Sequence, residues 1–316
     1  MSKKNYRVRN WRQYNQALVK RGSLTLWFSQ DTIEHWRCDA AESVHGNQKY
    51  SNTVILCSLV VKQVYGLTLR ATEGMMISVI DLLKLSLPVP DYSTICRREK
   101  TLAVKLNVKP ASGARHILID STGIRIFGEG EWKVLKHGLE RHQVWRKLHI
   151  AMDADSQMIL SLSMTNSSSQ DGNVLPGLLD QIDGPIRQVT GDGAYDKKCC
   201  YHAAFKRKAK AVFPPQYNAI VQRNKYKIDA AMLARDEAIR YLGDGPAKQE
   251  RRAQWKEEND YHRRSLAETT MWRLKSIFGD ELRAKTIENQ VTELSIRCLV
   301  LNKMTELGLP KSVPIS

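Results

Sequence analysis

His116-Ile117-Leu118-Ile119-Asp120-Ser121-Thr122-Gly123-Ile124-Arg125-Ile126-Phe127 is where the apolar residues of this chain leave helical spacing and run as strand. Pro110-Ala111-Ser112-Gly113, just ahead of it, is a linker by composition. Residues 116–119 therefore read as a strand ending on Asp120, and 122–127 as a second extended piece. Residues 145–152 and 158–164 then form a hairpin about Asp153-Ala154-Asp155-Ser156, which is turn chemistry, so Asp153 and Asp155 are set aside as metal ligands. Residues 172–182 read as helix and 185–190 as strand, running into Gly191-Asp192-Gly193-Ala194-Tyr195-Asp196. A helix over 197–208 and a short strand over 210–213 follow. Three strands followed by alternating helix and strand predict an α/β (α+β) fold, a mixed sheet covered by helices. Asp120 and Asp192 each fall at the end of an apolar strand, where a rigid scaffold can hold a carboxylate.

Toward the C-terminus, residues 214–259 are basic, mostly helical by pattern and too long for a loop, so they read as an insertion. Next comes Tyr261-His262-Arg263-Arg264-Ser265-Leu266-Ala267-Glu268, continuing as a helix through Lys275. At about 100° per residue, Tyr261, Arg264, Glu268 and Lys275 share roughly 60° of arc, one carboxylate flanked by cations. Leu266, Ala267, Leu274, Ile277 and Phe278 fall on a different face that can dock on a core. Residues 291–307 read as a closing helix and 311–316 as a loose tail.

Toward the N-terminus the pattern is helical. Residues 1–110 carry 17 Lys+Arg against 8 Asp+Glu, 17 − 8 = +9. Pro88 and Pro90 end one helix, and Asp91 or Ser93 caps the next, which carries Arg97 and Arg98. Three helices with a basic last one suit a helix-turn-helix-like DNA-binding region. The whole chain has 49 Lys+Arg against 33 Asp+Glu, a formal charge of +16, which points to a polyanionic partner, nucleic acid first. No run of 18 apolar residues and no apolar stretch behind Met1-Ser2-Lys3-Lys4 suggests a membrane span or a secretory signal. Six scattered cysteines without a C-x-x-C pair fit a reducing cytoplasm, and adjacent Cys199 and Cys200 read as packing residues. The expected organisation is 1–110 helical and DNA-binding, 111–213 the first part of a catalytic domain, 214–259 the insertion, and 260–316 the remainder of the catalytic domain.

Asp120, Asp192 and Glu268 form a set of three acids. Hard divalent cations prefer oxygen ligands, and two of them ~4 Å apart serve in-line phosphoryl transfer, activating the attacking oxygen and stabilising the leaving one. Here the chain resembles the DDE transposases of bacterial insertion sequences, most of all the fifth numbered insertion-sequence family. The resemblance rests on Asp120-Ser-Thr-Gly, Gly-Asp192-Gly-Ala-Tyr-Asp196 and Tyr261-x2-Arg264-x3-Glu268-x6-Lys275. Further pieces agree: Lys20-Arg21-Gly22-Ser23-Leu24, Pro90-Asp91-Tyr92-Ser93-Thr94, Gly128-Glu129-Gly130-Glu131-Trp132 and Trp145-Arg146-Lys147-Leu148-His149.

The resemblance implies an RNase H-like catalytic core using two Mg²⁺ ions, replaceable by Mn²⁺, with Asp120, Asp192 and Glu268 as catalytic metal ligands. It implies cleavage at terminal inverted repeats and attack of the freed 3′-hydroxyl on target DNA, in the cytoplasm, at the nucleoid. Pairing two ends calls for a homodimer in a synaptic complex. Tyr261, Arg264 and Lys275 fall on the family's accompanying positions, and a cation one or two turns from the acid suits a DNA phosphate. Arg97 and Arg98 are expected to meet DNA, and Trp132 to stack on an unpaired base. His137 and His149 are expected to be structural or phosphate-contacting, since Mg²⁺ favours oxygen. Two alternatives stand beside it: an RNase H-like structure-specific nuclease without strand transfer, which would use the same acids, and a non-catalytic DNA-binding regulator, in which Glu268 would be dispensable.

Overall fold

The computed structural model describes residues 6–28, 30–37, 49–127, 145–222 and 228–314. The chain forms two compact units, one of Leu106–Lys285 and one of Met1–Lys105 with Thr286–Ser316.

The first of these is built on a sheet. Its strands are β2 (Arg115–Ile126), β3 (Trp145–Asp153), β4 (Ile159–Asn166), β5 (Ile186–Thr190) and β6 (Lys210–Val212), in the order β4-β3-β2-β5-β6, with β7 (Glu281–Leu282) pairing on β2. β2, β3 and β4 are antiparallel neighbours, whereas β5 and β6 run parallel to β2. The mixed sheet covered by helices is the fold class expected. β2 is a single strand of 12 residues, however, not two extended pieces. The polar Ser121-Thr122-Gly123 interruption stays in the ladder because each residue has a partner on β3, Ser121 opposite His149 and Gly123 opposite Lys147.

Alternation along β2 sends its side chains to two different layers. Ile117 and Ile119 point into a core with Leu175 and Leu178 of α7 (Asp171–Asp180) and Tyr201 and Ala204 of α8 (Lys198–Lys206). Leu118 points the other way, joining Met152 and Ala154 against Ala267 of α11 (Ser265–Phe278). The insertion contributes α9 (Leu233–Leu242) and α10 (Lys248–Glu258). Its Ala238, Leu242 and Trp255 close on Val212 of β6, with Tyr261 packed against them, so the insertion shares a core with the sheet edge.

The other unit is helical: α1 (Trp11–Arg21), α2 (Leu24–Trp27), α3 (Gln30–Glu34), α4 (Asn52–Val64), α5 (Leu69–Leu82), α6 (Tyr92–Glu99) and α12 (Ile287–Leu307). As expected, Asp91 caps α6, accepting from the backbone N–H of Ser93 and Thr94, both at 2.9 Å. α4 and α5 meet at 111° across a short turn in which Gly66 takes a positive φ of 65°. Along α12, Leu294, Ile296, Cys298, Val300 and Leu301 are all buried, the mark of a helix enclosed by its neighbours. Buried charges in this unit are paired, Lys62 with Glu99 at 3.4 Å and Arg297 with Glu293 at 2.6 Å.

Two expectations for the C-terminus are corrected. Residues 286–316 belong with the N-terminal helices and not with the sheet, because the apolar surface of α12 is enclosed by α4 and α1. Over residues 311–314 the tail is not loose: β8 (Ser312–Pro314) pairs antiparallel with β1 (Tyr6–Val8), and Asn10 accepts from the Lys311 N–H at 2.7 Å. Among the described residues no single helix is long and apolar enough to cross a membrane.

Candidate functional site

Asp120 lies on β2 two residues beyond Leu118, hence on the same side of the sheet as the contact with Ala267. That packing brings Glu268, the next residue of α11, to the same side. The lead-in to α11 is fastened separately: Arg263 donates to the Ala154 carbonyl and to Asp155 Oδ1, both at 2.7 Å. The Asp153–Ser156 turn is thus an anchor for the Glu268 helix, while Asp153 itself accepts from Ser156 Oγ at 2.7 Å as turn chemistry demands.

The expected helix from Tyr261 does not begin as one. Tyr261–Arg264 is a 3-10 turn entered through Asp260 at φ 53°, and the α-helix starts at Ser265. The arc argument therefore holds for Glu268 and Lys275 within the α-helix. Tyr261 and Arg264 lie in the turn, where the Tyr261 ring packs on the insertion's core and still faces Arg264, its centre 6.0 Å from the guanidinium carbon. On the back of α11, Ala267, Thr270, Met271 and Leu274 are buried, but Ile277, expected there, is 38% exposed.

Arg264 joins the carboxylates. Its guanidinium pairs with Glu268 one turn on and lies 3.7 Å from Asp120 Oδ2. Burial, with repulsion from Asp192 and Glu268, raises the Asp120 carboxyl above its ordinary range, against the Ser121 N–H and Arg264, which pull it down. Burial works against the Arg264 charge, yet Tyr261, Glu268, Asp120 and Asp192 outweigh it and hold its pKa above the ordinary value. All three acids thus act on one cation, although they come from the middle of β2, the turn after β5 and a helix. Asp120, expected at a strand end, lies mid-strand because Ser121–Gly123 stay paired with β3 and β2 runs on to Ile126. The Glu268 side chain remains half exposed.

Asp192 follows β5 and caps the 3-10 turn Gly193–Tyr195, accepting from the Ala194 N–H at 2.9 Å. Gly191 is required before it: a Cβ there would meet the Tyr195 ring at 2.7 Å. His116, on β2, lies with Nε2 2.9 Å from Thr190 Oγ1 near the end of β5. Burial, with Arg263 and Arg187 nearby, lowers its pKa to about 4.

These donors are carboxylate oxygens, the kind hard divalent ions take, and a guanidinium already stands as a cation between two of them. Among the described residues no three acids, histidines or cysteines have closed into a coordination sphere. The set fits a divalent ion on condition that Arg264 gives up its place.

Other expected residues are distributed as follows. Lys275 lies half-buried two turns beyond Glu268. Arg97 is exposed on α6, whereas Arg98 is spent inside its unit, donating to the Tyr50 carbonyl at 3.0 Å and to Asn52 Oδ1 at 2.7 Å. His149 is buried, with Nε2 2.8 Å from Thr165 Oγ1, a structural role as expected. Trp132 and His137 lie outside the described residues. Two polar pairs near the site were not anticipated: Lys147 with Asp171 at 2.6 Å, and Arg235 with Asp196 at 2.7 Å. Only the presence of Asp196 in the Gly-Asp-Gly-Ala-Tyr-Asp run hinted at the second.

A family model described as "Transposase DDE domain" matches residues 111–303, and a second model of the same description matches 19–129. Among solved structures, the cryo-EM structure of a piggyBac transposase synaptic complex with hairpin DNA matches at 10% identity and a TM-score of 0.41. The match covers 90% of this chain and 75% of that one.

Proposed function

Because this chain belongs to the DDE transposase family, whose enzymes cut DNA and transfer strands with divalent metal ions, we propose that it is the transposase of a bacterial insertion sequence of the fifth numbered family. The fold is accordingly the RNase H-like one, and the sheet and α11 are its catalytic core. In this reading the protein binds terminal inverted repeats, cleaves at the transposon ends and joins the 3′-hydroxyl to target DNA. The observation that carries it is Arg264 set between Asp120 on β2 and Glu268 on α11, with the Asp192 turn following the neighbouring strand β5.

Asp120, Asp192 and Glu268 would hold two Mg²⁺ ions, or Mn²⁺ in their place. When bound, those ions supply activation of the attacking oxygen and stabilisation of the leaving one. The chain's own residues do the positioning. Leu118, Met152 and Ala267 set the distance between β2 and α11, and the Ala194 N–H orients Asp192. Arg264, once off the carboxylates, and Lys275 bind phosphates of the DNA end, with Tyr261 beside them. The helical unit, with its α4–α5 turn and exposed Arg97, holds repeat DNA in helix-turn-helix fashion. Arg98 serves there by fixing α6 to the start of α4. Two ends to be paired call for two copies of the chain.

The test incubates the protein with labelled terminal-repeat DNA, a target plasmid and Mg²⁺. Joined product is expected. Cut product without joining would favour the structure-specific nuclease, and binding alone the regulator. Glu268→Gln is expected to abolish cutting while leaving end binding in place.

A further inference from the structure

Asp196 closes the turn that Asp192 opens, and its surroundings are unusually complete. Its buried carboxylate accepts from Arg235 twice, at 2.7 Å from Nε and 3.3 Å from Nη2. It also accepts from the Tyr201 hydroxyl at 3.1 Å and from the Gln216 backbone N–H at 3.0 Å. With four donors on two oxygens, Asp196 has no lone pair left to offer an incoming ion. Arg235 is held in turn, donating through Nη1 to the Ile220 carbonyl at 3.0 Å. The bond is two-pronged, so it fixes orientation as well as distance.

Between Asp192 and Asp196 the backbone has little slack. Tyr195 N–H donates to the Asp192 carbonyl at 3.1 Å, and Asp196 N–H to the Gly193 carbonyl at 3.3 Å. Tyr195 is wedged against Gly191 on the other side of Asp192. Movement of Asp196 is therefore passed to the Asp192 carboxylate. Arg235 belongs to α9, in the insertion, and reaches 39 residues back along the chain to do this.

We propose that Arg235 is a positioning residue for Asp192, acting through Asp196. The insertion is then part of the frame that sets the geometry of the acid cluster, beyond any hold it has on DNA. The inference rests on the reading of Asp192 as a metal ligand. Removal of a partner bonded directly to a ligand costs about 10–100-fold in metal affinity, and Arg235, acting one residue further out, is expected at the low end of that range.

The test measures binding of Mn²⁺ alone to the full chain, by the loss of the free-ion electron paramagnetic resonance signal. Wild type is compared with Arg235→Ala, Asp196→Asn, Arg235→Lys and Asp192→Asn, and the melting temperature of each is recorded. Arg235→Ala and Asp196→Asn are expected to weaken Mn²⁺ about tenfold or more, and Arg235→Lys to restore part of the loss. If Arg235→Ala does not fold, Asp196→Asn, which keeps the size of the side chain, carries the comparison. A lowered melting temperature with Mn²⁺ affinity unchanged in the folded variants, while Asp192→Asn weakens it, would overturn the positioning role. Unchanged affinity in Asp192→Asn would instead overturn the metal reading beneath it.

Discussion

Arg264 and His116 show how a side chain's neighbours decide its chemistry. Arg264 pairs with Glu268 and stands 3.7 Å from Asp120, so any incoming cation competes with it for the same oxygens. Arg264→Gln is therefore expected to bind Mn²⁺ about tenfold more tightly in the absence of DNA, the effect of removing one like charge at close range. Weaker binding by isothermal calorimetry would count against the competition. With DNA present the same change is expected to weaken end binding. His116 is buried beside Arg263 and Arg187 and titrates near pH 4, below an ordinary histidine at about 6.5. Between these values the unfolded chain binds the extra proton, so stability is full above pH 6.5 and falls as pH drops toward 4, by on the order of 3 kcal/mol. Urea unfolding across this window should show that slope, and His116→Gln should flatten it.

Elements that depend on local rules were legible in the sequence. The Asp91 cap, the hairpin at Asp153–Ser156, the strand before Asp192 and the helices around them follow from spacing and cap chemistry a few residues long. Of the candidate acids, Asp192 lies just past a strand and Glu268 on a helix as their spacing suggested, whereas Asp120, expected at a strand end, sits mid-strand because β2 continues to Ile126. The 3-10 start at Tyr261 was not legible, because it is set by the left-handed Asp260 and by the pull of the insertion's core on the Tyr261 ring. Nor was the unbroken length of β2, which depends on register with β3, or the Arg235–Asp196 and Lys147–Asp171 pairs, whose partners lie 39 and 24 residues apart. Packing of α11 on β2 sets the Asp120–Glu268 relation, and Ala267 is wholly buried at that contact. Ala267→Leu is expected to cost about 1–3 kcal/mol of stability by overpacking. Its loss of cleavage should exceed that of an equally destabilising change on α12, measured by thermal unfolding and an end-cleavage assay. Gly191→Ala should likewise lower cleavage, since its Cβ would push on the Tyr195 ring at 2.7 Å.

At the scale of the molecule, the division of the chain is discontinuous, with α12 and β8 completing the helical unit begun by α1 and α4. Deletion of residues 286–316 is expected to expose residues 50–100 to limited proteolysis while the strands β2 to β6 and their helices stay resistant, together with loss of repeat binding by gel shift. The +16 charge favours association with polyanions irrespective of their sequence. Lys275→Ala should reduce the salt dependence of end binding by about one phosphate contact, and an unchanged slope would remove it from the interface. Arrival on DNA and readiness to cut are nevertheless separate events in such a protein. With Arg264 seated, Asp120 and Glu268 share a built-in cation that an incoming metal ion must displace. On the proposed function, a DNA phosphate that draws the guanidinium away would free Asp120 and Glu268 at the same moment, so the substrate itself would open the place for the metal.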